Sequence, residues 1–236
     1  GGKNATIVAD SANLDKAAEG VSKAAFSFSG QKCSACSRVF VQKKVKTQFL
    51  SKLIEKTKKL SVANPKERES FMGPVINLNA YNNFKRYSKL ASKQGIILTG
   101  GSVKQDGELE HGFYVEPTIV DGIPAHHPLL KKELFVPILC ICEYDNFDNA
   151  IKMTNESEYG LTSGIYSNKK EEISKFLQYI EAGVVYVNRK KSSTTGAMVG
   201  CQSFGGWKDS GTTGKGTGGR YYLTQFMREQ SQTIVK

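Results

Sequence analysis

The chain has 236 residues, a formal net charge of +11 and a hydrophobic fraction of 39%. This amount of apolar material is enough to bury a core in one or two domains, which excludes a disordered tail. No apolar run approaches the roughly 20 residues that a membrane-spanning helix needs, and the opening residues, GGKNATIVAD, lack the pattern of a secretion signal. We therefore expect an intracellular, cytoplasmic protein without a membrane partner.

The excess of positive charge does not indicate a nucleic-acid-binding protein. Lysines are spread along helix-like stretches such as 43–59, KKVKTQFLSKLIEKTKK, where they alternate with Glu and apolar positions. This arrangement is typical of a solvated basic face, and no aromatic-studded binding motif accompanies it. We expect no nucleic-acid partner.

Predicted strands alternate with predicted helices along the first 188 residues. Short apolar and β-branched runs predict strands at 5–9, 37–42, 96–99, 136–144, 163–167 and 184–188, with an extended segment at 113–123. Apolar residues at three- and four-residue spacing predict helices from Leu14 to near Gly30, and over 45–60, 79–93, 146–155 and 170–182. This alternation predicts an α/β fold, a largely parallel open sheet with helices on both faces.

The apolar stripes also predict which helix faces are buried. The stripe of the first helix runs from Leu14 to Phe28. In the last helix the residues expected to point inward are Ile173, Phe176, Leu177 and Ile180.

The composition changes after residue 188. Gly, Ser, Thr and Lys dominate from Arg189 to Gly219, and a tail ends the chain at Lys236. Loops of more than about 15 residues without their own structure are often binding elements. We therefore divide the chain into an α/β domain over 1–188 and a glycine-rich loop with an extended C-terminal tail over 189–236. GKGTGG (214–219) fits G-x-G-x-x-G but follows no strand, so it predicts a turn and not a dinucleotide site.

Histidine and cysteine spacing does not predict a metal site. His111, His126 and His127 have no Cys or carboxylate at metal spacing, so we expect surface histidines. The five cysteines are too few and too irregular for a disulfide scaffold and are expected to be free thiols. Cys33 and Cys36 form C-x-x-C, but a long helix precedes them, whereas a redox pair opens a helix after a strand. From the residues alone, Cys33 is either a buried structural thiol or a nucleophile exposed at the edge of the sheet.

Several longer strings resemble the aldehyde dehydrogenases. SGQKCSACSRVFV is similar to their active-site signature G-Q-x-C, in the form used by the pyrroline-5-carboxylate dehydrogenase branch. GGKN (1–4) resembles the end of E-x-G-G-K, GFYVEPTIV (112–120) resembles G-x-x-x-x-P-T, and KELFVP (132–137) resembles E-E-I-F-G-P. TTGAMVGCQSFGGWKDSG (194–211) and GGRYYL (218–223) resemble strings of the glutamate-semialdehyde branch, although Ser203 replaces the usual Pro and Cys201 also departs. The matches cover nearly the whole chain and imply the aldehyde dehydrogenase catalytic domain.

The resemblance implies a role for each matching residue. Cys33 would be the nucleophile, and its main-chain N–H would help to hold the oxyanion. The Ser34 hydroxyl and the backbone N–H groups of Gly196 and Ala197 would bind the substrate α-carboxylate. Phe204 would pack on the aliphatic part of the substrate.

Cofactor contacts are also implied by the resemblance. Glu133 and Phe135 would contact the nicotinamide ribose of NAD, with NADP as the alternative cofactor. Lys132 and Val136 depart from the family's Glu and Gly. The family's N-terminal cofactor-binding domain, its oxyanion Asn and its general-base Glu have no counterpart in this sequence. The expected partners are therefore a small aldehyde, an N-terminal cofactor-binding half or subunit, and further copies in a homo-oligomer.

The resemblance predicts the catalytic portion of an enzyme that oxidises L-glutamate 5-semialdehyde to L-glutamate with NAD in proline breakdown. Because half of the machinery lies elsewhere, we expect this chain alone to be inactive. One alternative is an aldehyde dehydrogenase that takes another aldehyde. The other alternative is a non-catalytic assembly or regulatory domain.

Overall fold

The computed structural model describes residues 1–189 and 201–236 and contains an α/β domain. The strands are β1 Asn4–Val8, β2 Cys36–Gln42, β3 Ile96–Thr99, β4 Thr118–Asp121, β5 Ile138–Tyr144, β6 Tyr159–Gly160, β7 Thr162–Tyr166, β8 Val184–Val187 and β9 Trp207–Lys208. The helices are α1 Leu14–Phe26, α2 Lys46–Lys58, α3 Leu78–Gln94, the single turn α4 Pro128–Lys131, α5 Phe147–Asn155 and α6 Lys170–Tyr179.

Seven strands form the main sheet, in the order β3-β4-β5-β2-β1-β7-β8. All neighbours are parallel except β3, which pairs with β4 in the antiparallel direction. Alternate residues of each strand contact opposite helix layers, as the two-residue period of a strand requires. In β5, Leu139 packs in the core with α1 and α2, whereas Cys140 packs in the core with α3. Helices α5 and α6 cover the rest of that second face. The predicted open, largely parallel sheet with helices on both faces is therefore confirmed.

The helices begin where the sequence provides a capping side chain. Asn13 accepts a hydrogen bond from the Lys16 N–H at 3.0 Å, and Asn77 accepts one from the Ala80 N–H at 2.9 Å. Each cap satisfies one of the N–H groups that the first turn of a helix leaves without a partner.

Three detailed predictions about buried faces are wrong. Helix α1 ends at Phe26, and Phe28 has a left-handed backbone and is 78% exposed, so it lies outside the stripe. Leu177 of α6 is 51% exposed, because only Phe176 and Ile180 face the sheet fully. His127 is buried and caps α4, where its Nδ1 accepts a hydrogen bond from the Leu129 N–H at 3.1 Å. Burial also lowers the pKa of His127.

A short strand pairing, together with side-chain hydrogen bonds of Lys208 and Ser210, joins the C-terminal part of the chain to the α/β domain. Strand β9 pairs with β6 in a two-stranded antiparallel sheet that the sequence pattern did not predict. Residues 227–236 form no regular structure and are exposed, which agrees with the predicted extended tail. Within the described ranges, the helices are too short or too polar to cross a bilayer.

Three chain segments meet at the edge of the sheet where the parallel strands begin. They are the lead-in to β1 (residues 1–4), the Cys33 loop (residues 30–35) and the segment before β5 (residues 133–137). A Cβ on Gly2 would overlap the carbonyl oxygen of Cys33. A Cβ on Gly30 would lie 2.9 Å from Cα of Pro137, and Gly30 also has a φ of +68°. These two glycines therefore allow the three backbones to approach closely.

The contribution of close packing at Gly30 to stability can be measured separately from that of its left-handed backbone conformation. We expect Gly30→Ala to lower the free energy of unfolding of the natural protein by about 1–3 kcal/mol more than Gly122→Ala does. Gly122 has a similar φ of +70°, but a Cβ there would meet nothing within 4 Å. Urea denaturation of both variants measures the difference. Equal losses would show that the contact of Gly30 with the segment before β5 contributes nothing.

Candidate functional site

Cys33 lies in the loop that leads into β2, and its side chain is half-buried. The loop is closed by a turn in which the Ala35 N–H donates to the Lys32 carbonyl oxygen at 3.0 Å. In the described part of the chain, the main-chain N–H of Cys33 makes no hydrogen bond. An accessible thiol beside a free N–H donor is the arrangement that nucleophilic attack on a carbonyl requires.

The other thiols differ from Cys33 in burial or position. Burial raises the pKa of Cys36 to about 11, that of Cys140 to about 11 and that of Cys142 to about 12. These three thiols stay protonated near neutral pH, and the thiolate is the reactive form. Cys201 is exposed, next to the residues that the structure does not describe. Because Cys36 is a buried thiol in β2, it is a poor redox partner for Cys33.

Gly2 lies between Cys33 and Glu133. Its N–H donates to Oε1 of Glu133 at 2.8 Å, while its Cα faces the carbonyl oxygen of Cys33 so closely that a side chain would not fit. The candidate nucleophile and the candidate cofactor-contact carboxylate thus flank the same residue, although 100 positions separate them in the sequence.

Glu133 and Phe135 have features that fit a ribose-binding role. Among the described residues, Oε2 of Glu133 makes no hydrogen bond, so it can accept one from a hydroxyl group. The Phe135 ring is 44% exposed, and its residue has a φ of +55°, a conformation that functional sites often retain. Val136 itself is not in the left-handed region, so the replacement of the family's glycine imposes no strain there.

Two lysines at the site were not predicted from the sequence. Nζ of Lys3 and Nζ of Lys32 are both buried without a hydrogen-bond partner in the described part of the chain. Burial lowers the pKa of Lys3 to about 8 and also lowers that of Lys32, although the neighbouring Cys33 acts in the opposite direction on Lys32. The only sequence signal was their place inside GGKN and GQKC.

The cavity beside the candidate site is small. A cavity of only about 20 Å³ lies between Lys32, Glu133 and Phe135, which is space for about one water molecule. A larger groove of about 450 Å³ lies between β2, β5 and α5, but none of the predicted site residues lines it. The cavity beside the candidate site residues in the described part of the chain therefore has space for about one water molecule and not for a substrate.

The predicted substrate contacts are only partly described. Ser34 is buried, directly after the candidate nucleophile Cys33. Phe204 is half-buried and exchanges two backbone hydrogen bonds with Thr217, at 2.9 and 3.0 Å. Gly196 and Ala197 lie outside the described residues.

The segment that carries Phe204 reaches the same end of the sheet as Cys33. Strand β9, three residues after Phe204, pairs with β6, and a Cβ on Gly1 would lie 3.0 Å from the Tyr159 ring of β6.

The described ranges contain no group of three or more His, Cys, Asp or Glu residues that could hold a metal ion.

Comparison with known proteins agrees with this geometry. Residues 1–232 match the profile described as the aldehyde dehydrogenase family. The chain is 39% identical over 234 residues to 1-pyrroline-5-carboxylate dehydrogenase of Geobacillus kaustophilus, which is 99% of this chain and 44% of that relative. The chain thus spans less than half the length of the curated relatives that it matches.

Solved structures give the same result. A Thermus 1-pyrroline-5-carboxylate dehydrogenase with bound NAD superposes with a TM-score of 0.88 and 36% identity, over 96% of this chain and 42% of that one. Betaine aldehyde dehydrogenase of Staphylococcus aureus, in complex with NAD⁺, has the same TM-score but 27% identity, over 96% of this chain and 44% of that one. The chain therefore belongs to the aldehyde dehydrogenase family.

Proposed function

We propose that this chain is the catalytic part of an NAD-dependent dehydrogenase that oxidises L-glutamate 5-semialdehyde to L-glutamate, as in proline breakdown. The observation that carries the proposal is the junction at Gly2, which joins the half-exposed Cys33 to the carboxylate of Glu133. This junction brings a nucleophile and a ribose acceptor together where the parallel strands begin. A non-catalytic assembly or regulatory domain does not require it, since such a domain needs no accessible thiol beside a free N–H group, whereas an aldehyde dehydrogenase that takes another aldehyde does.

Cys33 performs the covalent chemistry. Its thiolate attacks the aldehyde carbon and forms a carbon–sulfur bond, while the carbonyl oxygen becomes an oxyanion. The N–H of Cys33 donates a hydrogen bond to that oxyanion, and the loss of one such donor typically costs about 100- to 1,000-fold in rate.

NAD, when bound, supplies the acceptor for the hydride that leaves the substrate carbon. Oε2 of Glu133 and the exposed Phe135 ring would hold its ribose. Cys33 then carries the substrate as a thioester, and water releases the acid and returns the thiol. The higher identity to pyrroline-5-carboxylate dehydrogenases than to betaine aldehyde dehydrogenase favours the glutamate-semialdehyde substrate. NAD as the cofactor is supported by the structures of both kinds of enzyme, which hold it.

The substrate is recognised by its α-carboxylate in this proposal. The Ser34 hydroxyl and the N–H groups of Gly196 and Ala197 bind it, and Phe204 packs on the aliphatic chain. Residues 189–236 thus act as the substrate-anchoring unit. Polypeptide outside this chain supplies the cofactor-binding domain, the general base and the second oxyanion donor, and the complete enzyme is a cytoplasmic homo-oligomer.

Substitution of the cysteines tests the nucleophile. We expect Cys33→Ala to abolish aldehyde oxidation by the natural protein, because no other group can form the thioester. Cys36→Ala and Cys201→Ala are matched controls and should keep most of the activity. Steady-state assays that follow NADH formation measure all three. Activity that survives in Cys33→Ala, or is lost equally in Cys36→Ala, would contradict the assignment.

Substitution of Ser34 tests the substrate. A hydrogen bond to a charged group contributes about 1.5–3 kcal/mol, so Ser34→Ala should lower kcat/KM for glutamate semialdehyde by roughly 10- to 150-fold. An aldehyde of equal length without the α-carboxylate should lose much less, because it lacks the partner of the hydroxyl.

A serine nearby provides the control for that comparison. The Ser37 hydroxyl donates to the carbonyl oxygen of Asn4 at 3.4 Å, so Ser37→Ala should affect both substrates alike and only slightly. If Ser34→Ala slows both aldehydes equally, Ser34 is not a carboxylate ligand and the substrate is a different aldehyde.

A further inference from the structure

Asn4 makes three hydrogen bonds that join the Cys33 loop to two strands. Its side-chain Nδ2 donates to the carbonyl oxygens of Cys33 and Ala35, at 2.8 and 2.9 Å. Its Oδ1 accepts a hydrogen bond from the Thr162 N–H at 3.0 Å. Asn4 is only 5% exposed; its bonds to Ala35 and Thr162 are buried, and its bond to Cys33 is partly buried. The two hydrogens of the amide group are both used.

The backbone explains why a side chain is needed at this point. The pairing of β1 with β2 is regular from Ala5 onward, but a register shift occurs between Asn4 and Ala5. The strand ladder therefore stops just before the Cys33 loop. Where the strand pairing ends, the side-chain amide of Asn4 donates hydrogen bonds to the carbonyl oxygens of Cys33 and Ala35. A carboxylate would repel those oxygens, and a hydroxyl has a single hydrogen to donate.

We propose that Asn4 is a positioning residue that fixes the backbone of the Cys33 loop. The bond to the Cys33 carbonyl oxygen holds the peptide plane between Cys33 and Ser34, and the bond to Ala35 holds the other end of the same turn. Together they set the direction of the Cys33 thiol relative to its own N–H donor. This role rests on the proposed function, in which the thiol and the N–H of Cys33 both act on the carbonyl group of the aldehyde.

Loss of the amide should free the loop while leaving the sheet intact. The carbonyl of Cys33 belongs to a half-buried residue, so water can replace its partner. Cys36, three residues later, is only 3% exposed, and its thiol forms hydrogen bonds with the Thr6 hydroxyl at 3.3 Å and the Arg38 carbonyl oxygen at 3.4 Å. Motion confined to the loop therefore exposes the Cys33 thiol but not the Cys36 thiol.

Alkylation of the natural protein by iodoacetamide, without substrate or cofactor, tests this role. Mass spectrometry of the peptides gives separate rates for Cys33 and Cys36. In Asn4→Ala we expect the Cys33 rate to rise by at least about fivefold through local opening, with the Cys36 rate within about twofold of the unsubstituted protein. We expect kcat/KM for the aldehyde to fall about 10- to 100-fold, since small misplacements of reacting groups are costly. KM for NAD should not change.

Asn168→Ala is the matched control. Nδ2 of Asn168 donates to the carbonyl oxygen of Ser11 at 2.8 Å and also joins the ends of β1 and β7, but at the opposite edge of the sheet. Asn168→Ala should leave the alkylation rates of Cys33 and Cys36 and the kcat/KM for the aldehyde unchanged. If Asn4→Ala does not fold, the alkylation rates of Cys33 and Cys36 are measured in Asn4→Ser instead, because a hydroxyl can restore one of the hydrogen bonds.

Two results would overturn the proposal. A Cys33 rate that matches that of Asn168→Ala would show that the amide does not hold the loop. Equal increases at Cys33 and Cys36 would show that Asn4 stabilises the whole sheet edge and does not position the nucleophile. A natural protein that oxidises no aldehyde would refute the proposed function, and the ratio of the two alkylation rates would still decide whether Asn4 fixes the loop.

Discussion

The close approach of three backbones at the amino ends of the parallel strands is the constraint on which the site depends. Gly2 contacts the Cys33 carbonyl, and Gly30 contacts the segment that carries Glu133 and Phe135. A side chain at either glycine would separate the nucleophile from the carboxylate. The sheet supplies the rigid base for this junction, because β1, β2, β5 and β7 all begin there.

Ligands of open α/β sheets usually bind beyond the carboxyl ends of the strands. Here the candidate site lies at the opposite, amino ends of the strands, so other groups must orient its residues. Helix N-termini are not used to hold the loop. Instead, a buried amide at Asn4 and the N–H of Gly2 connect the loop to the sheet and to Glu133. The two buried lysines, Lys3 and Lys32, add positive charge to the same junction without hydrogen-bond partners of their own in the described ranges.

Local patterns were sufficient to predict the fold, but not the contacts that assemble the site. The strand at 96–99 was predicted with the bounds that it has, because its signal is a short apolar run. Cys33 was found through its string, G-Q-x-C. The role of Asn4 could not be predicted, since its partners lie 29 and 158 positions away. Strand β9 is two residues long and carries no periodic pattern, and Phe28 follows a helical stripe that ends two residues before it.

The covalent role of Cys33 is the central claim, and trapping the intermediate tests it most directly. The natural protein is mixed with glutamate semialdehyde and NAD, quenched in acid during the first turnover, and its peptides are analysed by mass spectrometry. We expect a glutamyl thioester on Cys33, with Cys36 and Cys201 unmodified. An acyl group on either of those cysteines, with Cys33 free, would contradict the covalent role of Cys33.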